Sequence, residues 1–185
     1  FGFTSYDAVQ HFEDIRFSKK DKDLSLPQLY YALFQNVIAI NVFNNEAHIY
    51  AHCFHTNSNL DEVVEVLQSP NPVTHSFSRK GEPYSNLTDD EFVALVKKGI
   101  HHCYRGDVFQ IVLSRRFSQP FTGDDFTLYR VLRSVNPSPY LFYFDFGEYQ
   151  IFGSSPEAQL VVKDGKAEIH PIAGTFRRTG NDKQD

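Results

Sequence analysis

Short apolar runs separated by polar and proline-rich breaks divide the chain into alternating elements. Val9, Phe12 and Ile15 share one side of a short helix predicted over 5–15, and the polar stretch 18–25 follows as a linker. Residues 29–43 are rich in aliphatic and aromatic side chains. Asn44 and Asn45 separate them from a second run over 47–54, a pattern that predicts a β-hairpin. Asn59 and Glu62 have capping-pair spacing and open a helix through Leu67, which Pro70 and Pro72 end.

The second half reads in the same way. Thr88 and Glu91 form a capping-box signature before Phe92, Leu95, Val96 and Ile100, and Gly106 stops that helix. A strand is predicted over 108–117. Leu128, Val131, Leu132 and Val135 recur at helical spacing until Asn136-Pro137 breaks the pattern. Strands are predicted over 140–146, 149–152 and 159–162, with Asp164-Gly165 turning into 166–169. Hairpins interspersed with helices point to an α+β fold with a largely antiparallel sheet. Three prolines, a glycine and many polar residues between 69 and 86 mark a connector that needs no fixed structure. The expected organisation is therefore an N-terminal helix, hairpin and helix over 1–70, a connector over 71–86 and a second region over 87–185.

Composition narrows the class. Hydrophobic residues at 41% and charged residues at 22%, with no apolar run long enough for a bilayer, indicate a globular chain and no membrane span. A net charge of −5 disfavours a nucleic-acid partner. Two cysteines, Cys53 and Cys103, without a leader-like start fit reduced thiols in a cytoplasmic protein, although a bridge between them stays open. The chain opens on Phe1, contains no Met and ends on a polar tail, so a longer parent protein is expected.

Few residue groups suggest chemistry by themselves. His48, His52, Cys53 and His55 are zinc-type ligands, but strand geometry puts 48 and 52 on the face opposite 53 and 55, which favours scattered strand histidines. His101 and His102 near a helix end complement its dipole. Asn86-Leu87-Thr88 fits a glycosylation acceptor, which matters only in a secreted protein, and there is no phosphate-binding loop. The segment HPIAGT, 170–175, is more suggestive. Gly174 permits close backbone approach, Thr175 offers an N–H and a hydroxyl, and Arg177 and Arg178 match a carboxylate. The bland reading of the same residues is a turn followed by solvated arginines. Glu157, taken alone, reads as a solvated loop carboxylate.

Four segments in order change that balance: GDVFQIVLSRRF at 106–117, NPSPYLF at 136–142, GSSPE at 153–157 and PIAGT at 171–175. With GFTSYDAVQHFE and SNLTDDEFVALV upstream, they resemble component I of anthranilate synthase, within the chorismate-using enzymes. The resemblance covers most of the chain and implies part of that family's αβ-sandwich fold. It implies that Glu157 is the general acid that protonates the departing hydroxyl of chorismate, and that Gly174 and Thr175 contact the substrate. Water-activating relatives place a lysine where Gln110 stands, on the nucleophile side, and aminodeoxychorismate synthases commonly place one where Ala173 stands. Both departures favour anthranilate as product.

The resemblance further implies a glutamine amidotransferase, component II, as the ammonia-supplying partner, with tryptophan as feedback inhibitor. Pro139, Tyr140 and Leu141 are its candidate contacts, with Leu141 standing where methionine is usual. The arginine pattern after Thr175 departs from the family's, and only Arg178 stays in register. Magnesium is the implied cofactor, and the family's metal-binding glutamates and catalytic histidine fall beyond residue 185, so no metal ligand is assigned in this fragment. The fragment alone is expected to be inactive, and an uncovered edge or face is expected to favour a homodimer. The alternatives are an aminodeoxychorismate synthase component and a non-catalytic tryptophan-sensing module.

Overall fold

The computed structural model describes residues 1–17, 26–53, 59–69, 75–172, 174, 177–181 and 183. They fall into two compact units, Phe1–Val73 and Thr74–Asp185. The expected linker over 18–25, Pro70, Pro72 and His55 lie outside the described residues.

In the first unit, strand β1 (Gly2–Thr4) pairs antiparallel with β2 (Leu29–Tyr31), with Gly2 opposite Tyr31. The apolar stretch 29–43 thus does two jobs, because its later part forms β3 (Asn36–Asn41) against β4 (Glu46–Ala51) as the expected hairpin. Asn45 takes φ 57° in the turn, the left-handed region that asparagine tolerates. The helix expected over 5–15 is instead a 3₁₀ turn over Tyr6–His11 that buries only Ala8. Helix α1 (Leu60–Gln68) starts where the capping pair places it. Its N-cap side chain, however, accepts from Asn36 Nδ2 at 3.0 Å rather than from the helix.

The second unit corrects the connector. Residues expected to need no structure contain β5 (Phe77–Arg79) and β6 (Tyr84–Ser85). Helix α2 (Asp89–Arg105) follows with both halves of its capping box made. Thr88 Oγ1 accepts from Glu91 N at 3.3 Å, and Glu91 Oε2 accepts from Thr88 N at 2.8 Å. That backbone bond, more than the Thr88 hydroxyl, holds the Glu91 carboxyl below its usual range. Gly106 closes the helix at φ 77°. Strand β7 (Phe117–Ser118) pairs with β6, and β8 (Phe121–Gly123) pairs with β5.

The strand expected over 108–117 joins a ladder only at its last residue. Among the described residues no strand pairs with 108–116, and side chains anchor that segment instead. Ile111 and Leu113 pack on buried Gly99, where a Cβ would stand 3.3 Å from Ile111 Cγ2 and 3.6 Å from Leu113 Cδ1. The Arg115 guanidinium donates to Ser85 Oγ at 2.8 Å and to Asp89 Oδ1 at 2.6 Å, and it stacks 4.6 Å from the Phe117 ring centroid.

Helix α3 (Asp125–Val135) then packs on β9 (Tyr140–Asp145) and β10 (Gln150–Ser155). A final hairpin, β11 (Val161–Lys163) and β12 (Lys166–Glu168), turns at Asp164 and Gly165, which both have positive φ. That is the geometry a two-residue hairpin loop prefers. Among the described residues all six strand pairings are antiparallel, as the α+β reading expects.

Candidate active site

The frame of the site is helix α3 on the β9–β10 hairpin. Asp124 caps α3, its Oδ2 accepting from Thr127 N and from Thr127 Oγ1, both at 2.9 Å. The Thr127 hydroxyl bond is the main reason the Asp124 carboxyl titrates below its ordinary value. Phe126 and Tyr129 of α3 meet Tyr143 of β9 and Phe152 of β10 in one aromatic cluster, with centroid distances from 5.0 Å to 6.2 Å. Such ring pairs contribute about 0.5–1.5 kcal/mol each beyond the area they bury. Tyr143 also donates its hydroxyl to Asp125 Oδ2 at 2.9 Å. Partial burial first, and then that bond to a carboxylate, push the Tyr143 phenol up to about 12.

This frame carries two of the sequence motifs side by side. β9 and β10 run antiparallel, so the start of one lies beside the end of the other. Tyr140 pairs with Ser155, Leu141 with Ser154 and Phe142 with Gly153. The residues expected to contact an inhibitor are therefore the ladder partners of GSSPE. Pro139 precedes that ladder directly. Gly153 lets the Phe142 ring lie over its backbone: a Cβ there would stand 2.7 Å from Phe142 Cζ and would force the ring to shift. Ser154 Oγ donates to the Asn136 carbonyl at 2.5 Å, tying β10 to the residue that ends α3.

Glu157 follows two residues past β10 and is solvent-exposed. Its backbone N–H donates to Ser155 Oγ at 3.3 Å, and the same hydroxyl donates to the Glu157 carbonyl at 3.2 Å. Glu157 Oε1 accepts from the backbone N–H of Ile172 at 3.4 Å. Three motifs thus meet at one end of the hairpin: NPSPYLF, GSSPE and PIAGT. The carboxylate is open to a solvent-borne reactant and sits against the segment read as a carboxylate cradle. Gly174 lies two residues beyond Ile172 and is exposed. Thr175 and Ala173 lie outside the described residues. Gln110 stands on the segment anchored to α2. Sequence reasoning missed the roles of Ser154, Ser155 and Asn136, although a serine two residues before an N–H is a known turn-forming signal.

Among the described residues no group of three His, Cys, Asp or Glu gathers to hold an ion such as magnesium. His52 Nδ1 is engaged by the Phe34 carbonyl at 2.9 Å, and His102 Nδ1 lies 2.8 Å from Asp107 Oδ2 at the end of α2. Both cysteines are free thiols. No helix among the described residues is long and apolar enough to cross a membrane.

Comparison with known proteins agrees with the motifs. The family model described as chorismate binding enzyme matches residues 1–185. Anthranilate synthase component 1 of Acetivibrio thermocellus is 32% identical, the match covering all of this chain and 41% of that protein. The protein of the same name from Thermus thermophilus is 33% identical over the whole chain and 41% of its own length. The crystal structure of anthranilate synthase component I from Streptococcus pneumoniae superposes with a TM-score of 0.72 at 30% identity, covering 90% of this chain and 40% of that one. The chain spans about two fifths of the length of these relatives. It belongs to the chorismate binding enzyme family.

Proposed function

We propose that these 185 residues are the part of an anthranilate synthase component I that carries the general acid and the first part of the substrate cradle. The observation that carries this reading is the bond from Ile172 N–H to Glu157 Oε1, which joins the acid's motif to the cradle's. Ammonia forms a bond to a ring carbon of chorismate while the ring C–O bond to the hydroxyl breaks. Glu157 gives its proton to that oxygen, which leaves as water. The enolpyruvyl ether C–O bond then breaks as the ring carbon bearing nitrogen loses its proton and the enolpyruvyl methylene gains one, so that pyruvate departs and the ring becomes the aromatic ring of anthranilate. Gly174 and Thr175 hold a substrate carboxylate through backbone and hydroxyl donors.

Gln110 has no basic group to activate water, and Ala173 has no amine to attack the ring; both support ammonia as the nucleophile. The reading includes a glutamine amidotransferase as ammonia source, a cytoplasmic setting and magnesium held outside the described residues. It also includes tryptophan as an inhibitor contacting Pro139, Tyr140 and Leu141. The 185 residues alone are expected to turn over no chorismate.

The test uses the polypeptide of the complete reading frame that contains this sequence, supplied with chorismate, ammonium and magnesium. Anthranilate and pyruvate in equal amounts support the reading. Aminodeoxychorismate as the stable product would move the protein to the related synthase, and isochorismate would exclude ammonia as nucleophile.

A further inference from the structure

We propose that Ser155 is a positioning residue for the general acid: its hydroxyl sets the turn that holds the Glu157 carboxylate against Ile172. The inference rests on the reading of Glu157 as the acid and adds a residue to it. The sequence between them is Ser-Pro-Glu, and Pro156 has no N–H to contribute. The first backbone donor after β10 is therefore that of Glu157, and Ser155 Oγ is its acceptor. The same hydroxyl returns its proton to the Glu157 carbonyl, so one side chain restrains both backbone groups of the acid.

The turn is fixed from behind as well. Ser155 pairs with Tyr140 in the ladder, and the neighbouring Ser154 hydroxyl is bound to the Asn136 carbonyl. The Ser155 hydroxyl therefore links the acid's backbone to a strand that is itself fixed by the ladder. A general acid works only within hydrogen-bond reach of its target, and an error of about 1 Å in placement can cost about a hundredfold in rate. Removing the Ser155 hydroxyl releases the turn without touching the carboxyl group.

Two measurements test this on Ser155→Ala, Ser155→Thr and Glu157→Gln. In the complete polypeptide, isotopically labelled at isoleucine, the Ile172 amide resonance is expected to move in Ser155→Ala as it does in Glu157→Gln, and to stay near wild type in Ser155→Thr. In the complete polypeptide, Ser155→Ala is expected to lower kcat roughly tenfold with KM within about twofold, shift the alkaline limb of the kcat–pH profile and be rescued by Ser155→Thr. An unmoved Ile172 amide in Ser155→Ala, or a threonine variant as impaired as the alanine one, overturns the proposal. Should the wild-type polypeptide convert no chorismate, the anthranilate reading falls, and the Ile172 resonance alone decides whether Ser155 sets the carboxylate.

Discussion

At the scale of single residues, the second unit depends on a few polar bonds within an aromatic frame. Tyr143 is the clearest case, because its phenol is pushed up to about 12 by partial burial and by Asp125. The raised value means that the folded state keeps a proton that the unfolded state gives up near pH 10. The stability Tyr143 contributes is thus complete below pH 10 and is lost as pH rises toward 12. Tyr143→Phe should be less sensitive than wild type to alkaline unfolding between those values, followed by circular dichroism. An identical alkaline profile in the two proteins would show that the bond to Asp125 is not maintained in solution. Asp124 works in the opposite direction: its lowered value gives stability above the ordinary carboxylate range that is lost as pH falls through the folded value.

At the scale of elements, local signals were legible and pairing was not. The capping box of α2 and the left-handed Gly106 follow from residues within four positions of one another. Thr88→Ala should cost about 1 kcal/mol in the first turn of α2, read as roughly fivefold lower amide-exchange protection there. Unchanged protection would mean that the cap does not hold the helix. The strand expected over 108–117 failed because alternating apolar residues indicate a strand face but cannot name the neighbour that completes a ladder. What holds that segment instead is glycine and arginine chemistry. Gly99 admits Ile111 and Leu113 to the surface of α2, and Arg115 binds Ser85 and Asp89. β1 escaped notice because a three-residue strand carries no readable period, and β2 was read as the start of the hairpin strand over 29–43 rather than as a separate partner for β1. The site was legible as motifs and not as geometry. Glu157 and the HPIAGT segment were visible in sequence, whereas their junction at Ile172 depends on how a hairpin and a fifteen-residue excursion fold together.

At the scale of the whole molecule, the apolar surface decides how the chain behaves. Ala8 is the only fully buried hydrophobic residue among those described, while Phe43, Phe109 and Val112 stand almost entirely in solvent. A chain that buries so little gains little from the hydrophobic effect, so broad, weakly cooperative unfolding and self-association are expected. Sedimentation velocity over rising concentration should show the sedimentation coefficient increasing. A single monomeric species at all concentrations, with a sharp thermal transition, would contradict this.

If the Glu157 carboxylate resting on Ile172 is the acid of a chorismate amination, its removal must stop the reaction. Wild type and Glu157→Gln are compared in the complete polypeptide with chorismate and saturating ammonium, following anthranilate by fluorescence. Wild type is expected to form anthranilate and Glu157→Gln to lose about a hundredfold or more in kcat, with KM for chorismate nearly unchanged. Equal turnover by the two proteins would contradict that role for Glu157.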